Sequence, residues 1–356
     1  MEIARELDRL GVDVIEAGFA ISSVGDFEAI RQVAAACRRP AVASLCRAQQ
    51  PDIDRAWEAL KEAARPRCHI FLATSPVHMT KKLRKTPGEV LAQIAEAVGY
   101  ASRKFPEVEF SPEDATRSDP AFLALACEVA VAAGAGIINI PDTVGYTTPA
   151  EYADLVRLVR SRVGGVTISV HCHNDLGLAV ANSLAALEAG ADQVECTVNG
   201  IGERAGNASI EELVMAVRTR PDRFPFRLDV DTTRLVPLSQ LVSRCTGMPV
   251  QPNKAIVGAN AFAHEAGIHQ DGVLKDRATY EIMKPEEVGW DASRLVLGKH
   301  SGRHAFRERL TALGVELDET SFLQAFTRFK QEADERKQLS DRDLLALVRE
   351  VARQWA

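Results

Sequence analysis

The chain has 356 residues, enough for one large domain or two ordinary ones. Hydrophobic residues make up 46% and charged residues 26%, the balance of a globular chain that buries a sizeable core. A formal net charge of −6 argues against a general nucleic-acid surface, which would be basic, and no apolar stretch reaches the length of a membrane span.

The opening stretch MEIARELDRLG reads as an amphipathic helix with acidic residues, not as a signal peptide. Short apolar runs then alternate with helical patterns. The runs are VDVIEAG (12–18), AVASLC (41–46), RCHIFLAT (67–74), EVEFSPE (107–113), GIINIPD (136–142), VTISVHCH (166–173) and ADQVECTV (191–198). Each is nearly continuously apolar, as expected of strands covered on both faces. Alternation at this spacing predicts βα units and a parallel sheet. LDRLG (7–11), AVAAG (130–134) and ALEAG (186–190) each close a helix on a glycine, which takes the left-handed conformation at little steric cost.

Polar residues gather at the strand ends: Glu16, Thr74, Glu113, Asp142, His171, His173 and Asn199. In an α/β barrel these ends form the active-site face. Seven strands are counted where a closed barrel has eight, and the chain begins inside a helix. The expected fold is therefore a TIM (β/α)8-type barrel over residues 1–222 with strand 1 missing from the chain. Residues 223–356 are expected to form a linker, PDRFPFRLDVDTT, and a mostly helical subdomain with helices near 235–246, 303–313, 319–336 and 341–354. The stretch 257–283 between them is too irregular to be one helix.

Seven cysteines are scattered, odd in number and without a CxxC pair, which reads as buried thiols in a reducing compartment such as the cytoplasm. Cys172, between two histidines, is expected on the opposite side of its strand as a small core residue.

The chemistry concentrates in SVHCHNDLGLAVANS (169–183). On a strand, residues i and i+2 point to one face, so His171 and His173 share a face at the rim. Neutral imidazoles are common ligands for divalent metals, and two of them with oxygen ligands and open positions suit an oxygen-rich substrate. The plainer alternative is one histidine bonded to a carbonyl and one solvated. NGIGERAGNAS (199–209) has G-x-G-x-x-x-G spacing, not the dinucleotide fingerprint, and suits close backbone approach to a ligand. Asn207 in that loop is a candidate third metal ligand, or a helix N-cap. HEAGIH (264–269) is not the H-E-x-x-H of zinc proteases, so a single histidine acting as acid or base is the better reading. Glu113 is a candidate carboxylate to orient or polarise such a histidine, or a rim salt bridge. His300 and His304 read as surface residues.

These residues together resemble the 2-isopropylmalate synthases, within the metal-dependent barrel synthases and lyases that include homocitrate and citramalate synthases. The resemblance runs through GVDVIEAGF, FSPEDA, INIPDTVGYTTP, HCHNDLGLAVANSLAALEAGADQVECTVNGIGERAGN and GIHQDGVLK, nearly the whole chain. It implies a divalent metal ion, Mn2+ or Mg2+, held by His171, His173, Asn207 and an aspartate on the first strand. It implies that Thr143 binds the carboxylate of a 2-oxo acid, and that Glu113 and His269 form the acid–base pair, His269 coming from the partner subunit of a homodimer. The implied reaction is a Claisen-type condensation of acetyl-CoA with 2-oxoisovalerate and thioester hydrolysis, in leucine biosynthesis. A homocitrate or citramalate synthase and a non-catalytic truncated barrel are the alternatives. The family's Arg-Asp-Gly-Glu stretch on strand 1 is absent, so Met1 reads as an internal methionine or late start, and this polypeptide is expected to have little or no synthase activity. A leucine-sensing domain would begin where the chain stops.

Overall fold

The computed structural model describes residues 1–264, 267–291, 294–295, 297, 301–336 and 339–353. They form two compact units, Met1–Val250 and Gln251–Ala356.

In the first unit, α1 (Glu2–Leu10) ends on Gly11 and leads into β1 (Val14–Glu16). The succession continues through α2 (Val24–Ala36), β2 (Ala41–Arg47), α3 (Gln50–Leu60), β3 (Pro66–Ala73), α4 (Pro87–Ala101), β4 (Glu107–Glu113) and α5 (Pro120–Ala132). It closes with β5 (Ile137–Asp142), α6 (Pro149–Val163), β6 (Thr167–Cys172), α7 (Ala179–Glu188), β7 (Gln193–Glu195) and α8 (Ile210–Thr219). The seven strands pair in parallel in sequence order, β1 to β7. The expected α/β succession is present, and among the described residues β1 and β7 are the two edges.

The sheet curls. Arg67 on β3 donates to Gln193 Oε1 on β7 at 2.9 Å. Strands four places apart in a flat sheet lie about 19 Å from one another, beyond the reach of these two side chains. Parallel strands must be joined by crossovers, and the helices fill the outer face.

One expectation needs correction. The strands are not apolar on both faces. Outward positions, among them Cys68, Ile70, Phe110, Ile138, Ile140, Ile168, Val170 and Cys172, pack against the helices in one large apolar cluster. Inward positions are polar and buried: Arg67, His69, Glu109, Ser111, Asn139 and Ser169. The period-two alternation is real, but its polar half faces an enclosed lumen rather than water. Arg67 binds Glu107 at 2.8 Å and Glu109 at 3.0 Å, and Gln193 donates to Glu109 at 3.1 Å and Ser169 at 2.8 Å. Buried charge is tolerated when paired in this way.

The sequence puts the domain boundary at 222/223, whereas the compact division falls after Val250. The reason lies in α9 (Leu235–Thr246), whose Leu235, Val236, Leu238, Leu241 and Val242 are buried. Ser239 and Asn199 exchange hydrogen bonds, and Asp231 N–H donates to the carbonyl of Leu10 at 2.8 Å. The segment after α8 therefore folds back onto the first unit.

The second unit holds a two-stranded pair, β8 (Ala263–His264) with β9 (Arg294–Leu295), and helices α10 (Gly267–Lys275), α11 (Arg303–Ala312), α12 (Glu319–Glu335) and α13 (Asp341–Arg353). Phe306, Phe322, Phe329, Leu344 and Leu347 form its core, with the rings of Phe306 and Phe329 stacked at 4.7 Å.

Candidate active site

The register of the sheet brings the polar strand ends to one rim. His171 lies opposite Pro141 on β5 and Glu195 on β7, and Ala73 lies opposite Glu113. His171 and His173 face the same side, with Nε2 atoms 3.3 Å apart. Glu195 Oε2 binds His171 Nδ1 at 2.7 Å, which orients the ring and turns Nε2 toward His173. His173 bridges to Asn207 through the backbone. Two atoms here are buried without a partner: His173 Nδ1 and Asn207 Oδ1. Buried polar atoms are rarely left so, and a cation seated at the rim would account for Asn207 Oδ1, though not for His173 Nδ1.

The loop geometry sets Asn207 in place. Gly206 sits at φ +88°, and a Cβ there would lie 2.0 Å from the carbonyl oxygen of Gly200. A Cβ on Gly202 would meet the Asn207 carboxamide at 2.9 Å. Ser209, not Asn207, is the N-cap of α8, so the amide of Asn207 is not spent on capping. Arg204 locks the loop to the HxHND turn by donating to both oxygens of Asp175, at 2.8 and 3.0 Å, and to the Thr143 carbonyl at 2.8 Å.

Electrostatics separate the two imidazoles. Burial pushes His171 down, but the Glu195 hydrogen bond and charge outweigh it, so its affinity for a proton ends above the ordinary histidine value. Burial, His171 and Arg204 push His173 down to about 4, which keeps it neutral. Burial favours protonation of Glu195, but His69 and His171 hold it down at about 2. Two imidazole nitrogens and an amide oxygen are a donor set for a divalent cation. Neighbouring vertices of an octahedron with about 2.1 Å bonds lie about 3 Å apart, close to the observed nitrogen spacing. His171, His173 and Asn207 thus offer atoms of the types a divalent cation takes.

A second group also offers ligand atoms, all within 4.8 Å of one another: His69, Glu109 and Glu195. It fits a cation less well. His69 spends Nδ1 on Glu16 and Nε2 on Ser111 Oγ at 2.6 Å. Burial disfavours its charge, yet Glu16, Glu109 and Glu195 raise its proton affinity well above the ordinary value. Both ring nitrogens of His69 are therefore already engaged. Asn139 completes this wall by donating to Ser111 at 2.8 Å.

Sequence reasoning missed His69, Ser111, Asn139, Arg67 and Glu195. The available signal was the alternation of polar residues within RCHIFLA and EVEFSPE, which a continuous apolar reading passed over.

Thr143 follows β5, and its Oγ1 accepts the backbone N–H of Asp114 at 2.9 Å, leaving the hydroxyl hydrogen to donate. Glu113, at the end of β4, makes an ion pair with Lys82 at 2.6 Å. His269 lies on α10 in the second unit, exposed, its ring 4.3 Å from that of Tyr280. His264 is 3.2 Å from Glu281. His304 is exposed, and His300 lies outside the described residues. Among the described residues no helix is long and apolar enough to cross a membrane.

Residues 1–242 match the HMGL-like family, and residues 256–337 match the homocitrate synthase post-HMGL domain-like family. A 2-isopropylmalate synthase of Nitrosospira multiformis is 59% identical over 356 residues, covering 99% of this chain and 70% of that protein. One of Pyrococcus furiosus is 56% identical over 353 residues, covering 98% of this chain and 71% of that protein. The crystal structure of hydroxymethylglutaryl-CoA lyase from Pseudomonas aeruginosa aligns with TM-score 0.59 at 20% identity, over 70% of this chain and 86% of that one, and so supports the barrel fold alone. With its HMGL-like barrel and this identity to curated relatives, the chain belongs to the 2-isopropylmalate synthase family, enzymes of the acyltransferase type in amino-acid biosynthesis.

Proposed function

We propose that the rim of the barrel is the site of a metal-dependent condensation of acetyl-CoA with 2-oxoisovalerate, with Mn2+ or Mg2+ held by His171, His173 and Asn207. The observation that carries this is the 3.3 Å approach of the His171 and His173 Nε2 atoms, with the buried, unpartnered Asn207 Oδ1 on the loop whose backbone bridges to His173. When bound, the cation supplies Lewis-acid polarisation of the 2-oxo group and a fixed seat for its oxygens. Thr143 donates its hydroxyl to the substrate carboxylate. Glu113 and His269, the latter from the second copy of a cytoplasmic homodimer, move the proton of the acetyl methyl group. The resulting enolate carbon bonds to the ketone carbon, the carbonyl electron pair goes to oxygen and takes up a proton, and water then cleaves the thioester to release the CoA thiol. Thioester α-protons are weakly acidic, so a positioned carboxylate and a preorganised site are needed.

The test is Mn2+ binding by calorimetry, with H171A, H173A and N207A, alongside thiol release with 2-oxoisovalerate, pyruvate and 2-oxoglutarate. One stoichiometric site weakened about 10-fold or more in each variant, and preference for 2-oxoisovalerate, are expected. Variants that bind Mn2+ as tightly as the parent would remove the basis of the reading.

A further inference from the structure

Between β3 and α4 the chain makes a six-residue π-helical segment, His78–Leu83. Single π turns are rare and recur at functional sites. This one ends on Arg84 at φ +55° and carries Lys82 to the barrel rim.

Lys82 Nζ approaches Glu113 Oε1 at 2.6 Å, and His78 Nε2 stands 3.9 Å from the same oxygen. His78 is held from behind, its Nδ1 bonded to Ser75 Oγ at 2.8 Å and to Asp114 Oδ2 at 2.9 Å. Asp114 is fully buried, sits at φ +63°, and is tied to Thr143 through its N–H. A non-glycine residue in that conformation costs energy and persists only where its surroundings hold it. Lys82 Nζ and His78 Nε2 thus both address one oxygen of Glu113. Its other oxygen, Oε2, has no hydrogen-bond partner among the described residues and is not among the enclosed atoms.

An ion pair with a half-exposed lysine is screened by water and adds little to stability, so stability is a poor explanation for this arrangement. We propose that Lys82 is a positioning residue: it pins Glu113 Oε1 and thereby presents Oε2 as the oxygen that exchanges the substrate proton. This rests on the reading of Glu113 as an acid–base carboxylate. His78 Nε2, 3.9 Å from that same Oε1, bounds the space around it. The device selects one of two equivalent oxygens, which matters because misplacing a reacting group by about 1 Å costs about 100-fold in rate.

The test uses the full chain with K82M, K82R and E113Q, read by steady-state thiol release and by NMR of protein carrying ¹⁵N-labelled lysine. K82M is expected to lower kcat about 10-fold or more with KM for both substrates unchanged, and K82R to restore most of it. The Lys82 ammonium signal should show slowed hydrogen exchange that E113Q abolishes. A K82M kcat within about two-fold of the parent, while E113Q loses about 100-fold or more, overturns the positioning role and leaves the Glu113 reading standing. A K82M effect confined to KM for acetyl-CoA, or an ammonium signal indifferent to E113Q, also overturns it. Full turnover in E113Q removes both proposals together.

Discussion

Replacing Arg67 with methionine tests whether the lumen is held by paired charge. The guanidinium is 7% exposed and binds Glu107, Glu109 and Gln193 at 2.8, 3.0 and 2.9 Å. Methionine keeps the aliphatic stem and strands Glu109, which is 2% exposed. Breaking one side of a buried pair costs about 3–5 kcal/mol because the remaining charge is uncompensated. Burial, opposed by His69 and Arg67, already raises the Glu109 carboxyl to about 7. Near pH 7 the stranded group therefore discharges cheaply by taking up a proton, and the penalty should sit at the low end, about 3 kcal/mol. A folded-state value above the unfolded one gives stability that is present at low pH and lost as pH rises through the folded value. Without Arg67 that value moves higher still. The R67M penalty should then be nearly flat below pH 7 and grow by about 1.4 kcal/mol per pH unit above it, until Glu109 ionises in the variant. Urea titrations at several pH values measure this, and thermal scans should show a loss of about 6–12 °C for a unit of this size. The double variant R67M/E109Q should lose the pH dependence. A penalty below about 1 kcal/mol, or one that does not change between about pH 7 and about pH 9, would refute the account.

Three further outcomes follow from the rim. Glu195→Ala frees the His171 ring from its 2.7 Å anchor and should weaken Mn2+ binding about 10–100-fold, read by calorimetry. Gly206→Ala forces a Cβ toward a carbonyl oxygen only 2.0 Å away and should cost more than about 2 kcal/mol in denaturant titrations, with loss of the metal site. Thr143→Val removes a hydroxyl donor for a charged ligand, about 1.5–3 kcal/mol, and should raise KM for the 2-oxo acid by roughly 10-fold or more, while Thr143→Ser stays near the parent.

The rim was legible in the sequence because HxH encodes its own geometry: on a strand the two imidazoles must share a face. The glycine-rich loop around Asn207 was legible too, because positive φ needs residues like Gly200 and Gly206. The lumen was not. Arg67, Glu109 and Gln193 lie far apart in the chain, and their pairing depends on the curl of the sheet, which no local pattern carries. The fold-back of α9 escaped for a similar reason: its partners on α1 and beside Asn199 are distant in sequence. Lys82 was hidden because a π turn leaves no periodicity to read.

The alternation along each strand divides the labour of the barrel between two independent surfaces. Packing against the helices is carried by outward residues such as Ile70, Phe110, Ile138 and Val170, whereas their inward neighbours His69, Ser111, Asn139 and His171 carry a network of hydrogen bonds. A substitution at His69, Ser111 or Asn139 can thus change the polarity of the interior without opening a void in the outer mantle. Exchange of an interior side chain then acts on stability through the polar partners it leaves unpaired, and exchange of an outward one through the void it leaves.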